Sequence, residues 1–290
     1  MACRLGLFAL VIKLVFLYCW RRMRRSHIKW VPILIAGLFF AYQYFSSEKF
    51  VNPETGRASR VGLSTQQEAA LGLQSYRQVL AESQPVDSGS EFEMVKRVAT
   101  RLAAATGAAG STFDWRASLI RENQVNAFCL PGGKIVVYTG ILPVAQTDAA
   151  LATVLGHEMA HATSRHGAQR VLQQNLAQTA MTGIAVSLSD MDYDKQRSIM
   201  GALGVGAQFG VLMPFSREHE SEADHIGLIY MARAGYDPEE SIRFWERMER
   251  SGGSQPPEFL SSHPSHGHRM QQLQAWMPQA LAEYHKATGN

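Results

Sequence analysis

Residues 147–167 read TDAALATVLGHEMAHATSRHG, and this stretch decides both the fold and the chemistry that the sequence predicts. Apolar and polar residues recur in it with helical spacing, and Gly167 is expected to end the helix. Because four residues of an α-helix turn through about 400°, His157 and His161 lie one turn apart on the same face. The stretch therefore predicts a helix over 147–166 that carries two neighbouring imidazoles.

The segment HEMAH within this helix indicates a zinc site. Two imidazoles arranged in this way can hold one Zn²⁺ at about 2.0–2.1 Å. Glu158 lies about 100° round the helix from His157, so it stands beside the metal, where it can take a proton from the attacking water. The motif is short and also arises by chance, so two surface histidines on an ordinary helix remain the alternative until a third ligand is found.

A later stretch, SREHESEADHIGLIYMARAGYDP at 216–238, offers that third ligand. Glu220 and Asp224 are four residues apart and share one face of the predicted helix. Glu220 can complete a His₂Glu set with one position open for water, as in catalytic zinc sites, and Asp224 can accept the free ring N–H of a ligating histidine. Glu218 and Glu222 are rival ligands that point elsewhere, and a solvated acidic face is the alternative for the whole segment.

The remaining pattern predicts an α+β fold, mostly α, in one domain spanning 63–290. Between 112 and 140 the chain is rich in β-forming residues and turn signals, which predicts a small three-stranded sheet. Its last two strands would be joined by a turn at Pro131, Gly132 and Gly133. Further helices are predicted over 64–83, with Ser64 and Gln67 as a capping box, and over 90–106, 168–188, 194–211, 216–234, 238–250 and 265–286.

Two apolar runs, at 5–20 and about 28–45, predict a membrane anchor over 1–45, followed by a polar linker at 46–62. Four arginines lie between the runs, and the positive-inside rule assigns them to the cytoplasm: Arg21, Arg22, Arg24 and Arg25. The rest of the chain would then lie on the periplasmic side of a bacterial inner membrane, with the mitochondrial inner membrane as the alternative. A cleaved signal peptide gives a similar pattern, but no convincing A-x-A cleavage site follows residue 40.

Charge and cysteine content narrow the classes of function. The net charge of +3 is accounted for by the arginine cluster, so the folded domain lacks the basic face that nucleic-acid binding needs. The three cysteines form neither a disulfide framework nor a CxxC pair, so a zinc site has to use histidines and carboxylates.

Several separate motifs together resemble one family of metallopeptidases. HEMAH followed by the ExxxD pattern of Glu220 and Asp224 is similar to the HtpX and CAAX-prenyl-protease family of membrane-associated gluzincins, peptidase family M48. The segments NAFCLPGGKIVVYTGIL (126–142), HATSRHGAQR (161–170) and ARAGYDP (232–238) look most like its periplasmic BepA-like and mitochondrial OMA-like branch. The resemblance runs from about residue 60 to about residue 275.

This resemblance implies a gluzincin-type fold, with the HExxH helix under the small sheet, and a division of roles within the site. One Zn²⁺ per chain would be held by three side chains, with Glu158 as general base and acid: His157, His161 and Glu220. An edge strand above the helix would pair with an extended substrate through a short segment: Asn126, Ala127 and Phe128.

The resemblance also assigns a role to a histidine near the C-terminus. His263, before Pro264, and the later Arg269 match a family motif whose histidine stabilises the oxyanion or occupies the zinc in a resting state. The alternative is a loop histidine with no role in the site, since His266 and His268 lie nearby.

The sequence therefore predicts a zinc metalloendopeptidase that cleaves protein or peptide substrates, with quality control of envelope or membrane-associated proteins as the expected setting. The rival is a membrane-tethered, non-catalytic zinc-binding assembly or chaperone-like factor. Glu158 argues against that rival, because a structural zinc site has no use for a base beside the metal. A helical domain without metal is a second rival, and no oligomeric state is predicted.

Overall fold

The computed structural model describes four stretches of the chain, residues 29–211, 215–251, 257–263 and 268–289. The first predicted apolar run lies outside the described residues, as do the arginine cluster, Pro264 and His266. The chain divides into two compact units, of which one joins Met1–Ser47 with Gln173–Leu212 and the other joins Glu48–Leu172 with Met213–Asn290.

Helices account for most of the secondary structure. In chain order they are α1 (Trp30–Ser46), α2 (Thr65–Ala81), α3 (Ser90–Ala105), α4 (Leu142–Ala145), α5 (Asp148–Thr163), α6 (His166–Ser187), α7 (Tyr193–Val211), α8 (Arg217–Arg233), α9 (Glu240–Ser251), α10 (Glu258–Ser262) and α11 (Arg269–Thr288). The predicted helices are present with their ends displaced by a few residues, and Ser64 and Gln67 form the predicted capping box before α2.

The first unit contains α1, which covers most of the predicted membrane segment at about 28–45. This helix is 17 residues long and has no buried residue. The amide of Lys29 donates a hydrogen bond to the carbonyl of Ser187 at 2.9 Å, which ties the start of α1 to the end of α6. Among the described residues, no helix is both long enough and apolar enough to cross a bilayer.

The second unit contains both sheets. Its strands are β1 (Glu48–Val51), β2 (Ala58–Val61), β3 (Pro85–Val86), β4 (Arg116–Ile120), β5 (Ala127–Leu130) and β6 (Lys134–Tyr138). β1 and β2 form an antiparallel hairpin, with Glu48 opposite Val61. The other four form one sheet in the order β3-β4-β6-β5, in which only the β4–β6 pair is parallel.

The expectation of a three-stranded sheet is wrong by one strand. β3 contains only two residues, which is too short for an alternating pattern to appear in the sequence. The turn between β5 and β6 is where the sequence predicts it, and Gly132 and Gly133 adopt φ values of 79° and 90° that favour glycine. β5 lies at the edge of the sheet, so no strand among the described residues pairs with its other side.

Residues 46–62, expected to be a polar linker, instead contain the β1–β2 hairpin. Polar composition suggested solvation, but the loop of the hairpin uses its polar groups for buried pairing. Asn52 is only 2% exposed, and Arg57 Nη2 lies 2.6 Å from Glu222 Oε2 on α8. Partners that are distant in the sequence therefore order this segment, and its local pattern does not reveal them.

α5 also ends earlier than expected, at Thr163 and not near Gly167. Arg165 has a φ of 55°, in the left-handed region that interrupts a right-handed helix. Its Nε donates a hydrogen bond to Glu68 Oε2 at 2.7 Å, and this distant carboxylate stabilises the turn. α6 then begins at once, at His166.

α5 is the central helix of the second unit. Its apolar residues Leu151, Leu155 and Ala162 are buried, and so is every other residue from Ala150 to Thr163. The helix packs against α8, α3, α9 and β5, so its histidine face points into the protein and not into solvent. A helix that is buried all round lacks the amphipathic pattern of a surface helix.

α5 and α8 cross at two glycines. A Cβ added to Gly156 would lie 2.8 Å from the carbonyl oxygen of Gly227, and one added to Gly227 would lie 2.7 Å from the amide nitrogen of His157. Both distances are too short for a real Cβ, so the two helices approach this closely only because neither residue has a side chain. This crossing brings the histidines of α5 next to the carboxylates of α8.

We therefore expect Gly227→Ala to force the two helices apart. The substitution should lower the free energy of unfolding by about 1–3 kcal/mol, as in other overpacked cores, and weaken zinc binding because the ligands separate. Denaturant unfolding and competition with a chromophoric chelator measure the two effects. Gly167→Ala is the control, since a Cβ there meets nothing within 4 Å. Wild-type stability and zinc affinity in Gly227→Ala would show that the crossing does not constrain the site.

Candidate active site

Four buried side chains converge at the centre of the second unit. His157 and His161 come from α5, Glu220 comes from α8, and His263 directly follows α10. Each offers one ligand atom, and these atoms all lie within 4.8 Å of one another. The sequence predicts the first three as zinc ligands, and the family resemblance gives His263 either a place at the zinc in a resting state or a role at the oxyanion; the structure brings all four together.

The spacing of the donor atoms matches one small cation. His157 Nε2 lies 3.1 Å from His161 Nε2 and 3.3 Å from His263 Nδ1. Oxygens of Glu220 lie 3.4, 3.3 and 3.0 Å from the donor nitrogens of His157, His161 and His263, in that order. Ligands held at about 2.0–2.1 Å in a tetrahedron are about 3.3 Å apart, so the set fits Zn²⁺ in both spacing and donor type.

Asp224 and Arg269 stand behind two of the donors. His157 Nδ1 lies 2.9 Å from Asp224 Oδ1, and a carboxylate can only accept, so Nδ1 carries a hydrogen and Nε2 faces the other donors. Burial lowers the pKa of His157, but Asp224 and Glu220 outweigh it and raise the pKa to about 10, so Nε2 has to lose a proton when a metal binds. Arg269 Nε donates to Asp224 Oδ2 at 2.7 Å, and its Nη2 donates to Glu220 Oε2 at 3.0 Å. This buried guanidinium also lies over the ring of Trp245, 4.0 Å from the centroid.

Glu158 lies beside the donor group and does not belong to it. Its Oε1 is buried and makes no hydrogen bond, and the nearest basic nitrogen, His263 Nε2, is 3.4 Å away. Burial raises the pKa of this carboxyl, while His263 and His157 lower it in part. An unsatisfied carboxylate oxygen next to a cation site has the chemistry of a proton acceptor for water.

The pKa values of the donors Glu220 and His161 are lowered, whereas that of Glu158 is raised. Burial alone would raise the pKa of Glu220, but hydrogen bonds from His157, His161 and His263 outweigh it and hold the pKa well below its usual range. Burial lowers the pKa of His161 well below its usual value. An ionised glutamate and a neutral imidazole are the forms that bind a metal.

The predicted substrate strand lies along α5. β5 begins at Ala127, and the amide of Tyr138 on β6 donates to the carbonyl of Asn126 at 3.1 Å. Because backbone groups alternate along a strand, Asn126 and Phe128 face β6, whereas Ala127 and Cys129 face the open edge. β5 packs against α5, and Cys129 and Glu158 interact electrostatically, so the edge strand and the unsatisfied carboxylate are neighbours.

The sequence pattern indicates no role for His166, which lies behind His161. Its Nδ1 is 2.9 Å from His161 Nδ1, and its Nε2 is 2.9 Å from Glu222 Oε2. Glu222 points away from the donor group, as expected from its position on the helix. The only signal in the sequence was a histidine five residues after His161, and that spacing has no fixed meaning in a helix that ends between the two.

Comparisons with known proteins agree with this site. Residues 90–277 match peptidase family M48. The mitochondrial metalloendopeptidase OMA1 of Schizosaccharomyces pombe is 34% identical over 89% of this chain and 74% of its own length. The mitochondrial metalloendopeptidase OMA1 of Homo sapiens is 32% identical over 84% of this chain and 49% of its own length.

A bacterial relative gives the same result. The Beta-barrel assembly-enhancing protease of Yersinia pestis is 30% identical over 73% of this chain and 44% of its own length. The family match spans α5 and α8 and ends inside α11, so it includes all four donors, the carboxylate beside them and the arginine behind them. A donor set that fits zinc thus lies within a sequence of metallopeptidase type, and the chain belongs to peptidase family M48 as a zinc metalloendopeptidase.

Proposed function

We propose that His157, His161 and Glu220 hold the zinc during catalysis and that Glu158 is the general base and acid. The observation that carries this assignment is the buried Oε1 of Glu158, which has no hydrogen-bond partner although it lies 3.4 Å from Nε2 of the donor residue His263. Zinc at this position would supply a Lewis acid that activates water and polarises the scissile carbonyl.

The protein side chains move the protons. Glu158 takes a proton from the attacking water and passes it to the leaving amine. Because Glu158 is buried, bulk water does not solvate its carboxylate. Asp224 keeps the hydrogen of His157 on Nδ1, and Arg269 fixes the carboxylates of Asp224 and Glu220. The donors are therefore oriented before substrate arrives, which avoids reorganisation during the reaction.

We assign substrate binding to the open edge of β5. An extended peptide that adds to this edge would pair with the backbone groups of Ala127 and Cys129, with Asn126 and Phe128 holding the strand to β6. Pairing of this kind uses the main chain of the substrate, so it favours an unfolded or extended segment over a folded one. A peptide on this edge would also lie close to Glu158, because β5 packs against α5 and Cys129 is a neighbour of that carboxylate.

His263 is assigned to the resting state. Its Nδ1 takes the fourth donor position at 3.0 Å from Glu220 Oε1, and its ring stacks on Phe259 with centroids 4.8 Å apart. A catalytic site needs that position for water or substrate, so His263 has to withdraw before hydrolysis begins.

Glu158→Gln tests the assigned base. The amide cannot accept a proton from water, so cleavage of an unfolded protein such as casein should fall at least about 100-fold, the low end for loss of a general base. Zinc content by elemental analysis should stay at one ion per chain. The matched control is Glu82→Gln, a change at a surface carboxylate outside the site, which should leave cleavage intact. Unchanged proteolysis in Glu158→Gln would defeat the assignment.

His263→Ala separates the two roles considered for this histidine. Loss of a resting-state ligand should raise the rate of peptide hydrolysis at saturating zinc and also raise the Kd for zinc. A histidine that stabilises the oxyanion would show the opposite rate change, with a lower kcat and an unchanged zinc affinity. Steady-state kinetics with a fluorogenic peptide, together with chelator competition, distinguish the two.

The substrate class and location that we propose are envelope or membrane-associated proteins, cleaved by a domain anchored through residues 1–45. Two observations support this proposal: the matched relatives carry names that refer to mitochondria and to β-barrel assembly, and α1 exposes apolar side chains such as Leu34 at 65% and Leu38 at 75%. The periplasmic side of a bacterial inner membrane is the proposed site of the domain, with the mitochondrial inner membrane as the alternative.

Membrane fractionation tests the proposed anchor. We expect the full chain, produced in a bacterium, to remain in the membrane pellet after alkaline carbonate extraction, because burial of an apolar helix in lipid does not depend on charge. Protease added to spheroplasts should degrade the catalytic domain if it faces the periplasm. Recovery of the chain in the carbonate-soluble fraction would contradict the anchor.

A further inference from the structure

We propose that His166 and Glu222 are positioning residues for the metal ligand His161, and that the β1–β2 hairpin holds them in place. The three side chains His161, His166 and Glu222 are called the histidine relay below. The inference rests on the proposed role of His161 as a zinc ligand. His166, Glu222 and the β1–β2 hairpin would then all help to orient the zinc site.

His161 and His166 are in direct contact through their rings. His161 Nδ1 and His166 Nδ1 are 2.9 Å apart, and both rings are buried, His166 completely. Two ring nitrogens at this distance share a single hydrogen, so one donates and the other accepts. His161 Nε2 needs its lone pair for the metal, so the hydrogen of His161 is on Nδ1 and His166 Nδ1 is the acceptor.

The tautomer of His166 depends on its contact with Glu222. A neutral imidazole that accepts at Nδ1 carries its hydrogen at Nε2. His166 Nε2 lies 2.9 Å from Glu222 Oε2, and an ionised carboxylate can only accept. Glu222 therefore selects the one tautomer of His166 that leaves its Nδ1 free to accept from His161. The carboxylate acts on the metal ligand through one intervening ring.

Side chains of the hairpin loop hold the carboxylate of Glu222 in place. Asn52 Nδ2 and Thr55 Oγ1 donate to its Oε1 at 3.0 and 2.6 Å, and Arg57 Nε donates to its Oε2 at 2.7 Å. All three donors lie between β1 and β2, in the loop of the hairpin. With His166 they supply four hydrogen bonds to one carboxylate, so the hairpin holds Glu222 in the orientation that the relay needs.

The other histidine ligand has the same arrangement in a shorter form. His157 Nδ1 meets Asp224 directly, and Arg269 fixes Asp224, so a carboxylate and then an arginine stand behind the ring. Behind His161 the order is histidine, carboxylate and then Arg57. The two ligands are therefore oriented by parallel chains of contacts, but the chain for His161 ends in a hairpin that precedes residues 90–277, the part matched by the family.

A structural ion pair that merely fixes the hairpin is the competing explanation, and the chain provides a matched control for it. Glu54, in the same hairpin loop, accepts hydrogen bonds from Arg233 Nη1 at 3.0 Å. Arg233 belongs to α8, as does Glu222. The Glu54–Arg233 pair thus joins the same two elements without touching the histidine relay.

The decisive variants are His166→Phe, which keeps an aromatic ring and removes both hydrogen bonds, and the control Glu54→Gln. Loss of a group that orients a metal ligand typically weakens metal binding about 10–100-fold. We expect that loss of zinc affinity in His166→Phe, measured on the full chain by competition with a chromophoric chelator, and wild-type affinity in Glu54→Gln. His166→Gln supplies one acceptor and one donor and should recover part of the affinity. Wild-type zinc affinity in a folded His166→Phe would overturn the inference.

A second measurement needs no substitution. In the zinc-loaded wild type, ¹⁵N NMR of the histidine rings should show a scalar coupling across the hydrogen bond between His161 Nδ1 and His166 Nδ1, with a hydrogen on His166 Nε2. A coupling that is absent once both rings are assigned, or a His166 ring with its hydrogen on Nδ1, would overturn the inference even if His166→Phe fails to fold.

His161→Ala separates this inference from the proposed function. If His161→Ala binds zinc like the wild type, the assignment of His161 as a ligand has failed, and the relay fails with it. If His161→Ala loses zinc while His166→Phe retains it, the ligand stands and only the positioning role is wrong.

Discussion

The close crossing of α5 and α8 is the constraint on which the rest of the structure depends. Zinc needs two imidazoles and a carboxylate within a few ångströms, and these belong to helices about sixty residues apart in the chain. Side chains at the crossing would hold the helix axes about 8–10 Å apart, the usual spacing of packed helices. Gly156 and Gly227 remove that barrier, so backbone meets backbone and Glu220 reaches the histidine face of α5. Sterics at two positions without side chains thus set the geometry of the metal site.

Bringing the ligands together creates an electrostatic cost that the surrounding residues offset. Burying an ion costs several kcal/mol even after relaxation, and Glu220 and Asp224 are both buried, the former completely. Arg269 bridges the two, so neither carboxylate is left without a cation. Trp245 in turn covers the guanidinium of Arg269. This pairing is weak evidence for stability by itself, but it keeps both carboxylates ionised and fixed in direction, as metal ligation requires.

Site residues could be predicted from the sequence where they interact with residues nearby in the chain, and not where their partners are distant. His157, His161, Glu220 and Asp224 could be found because helical spacing places each pair on one face, and that geometry is local. His166 could not, since its role depends on Arg165 breaking the helix with a carboxylate nearly a hundred residues earlier in the chain. The hairpin at 48–61 was misread for the same reason: its polar residues meet their partners on α8, far along the chain. A local sequence pattern predicts a helix and the residues that share one of its faces. A buried polar contact between distant residues can be recognised only from the three-dimensional structure.

The four donors also differ in how firmly each is held, and this difference has a consequence for catalysis. His157 is backed by Asp224, His161 by His166, and Glu220 by Arg269, each through a contact of 3.0 Å or less. Among the described residues, the polar group next to His263 outside the donor set is Glu158, at 3.4 Å and without hydrogen-bond geometry, while the ring itself is stacked on Phe259. His263 also stands at the end of a five-residue helix. Displacing a donor costs least where the fewest hydrogen bonds to groups outside the donor set are lost, so we propose that the fourth position is the one that opens to water. In the proposed mechanism the same displacement moves His263 away from Glu158 when that carboxylate has to accept a proton, which would couple the opening of the site to the readiness of its base.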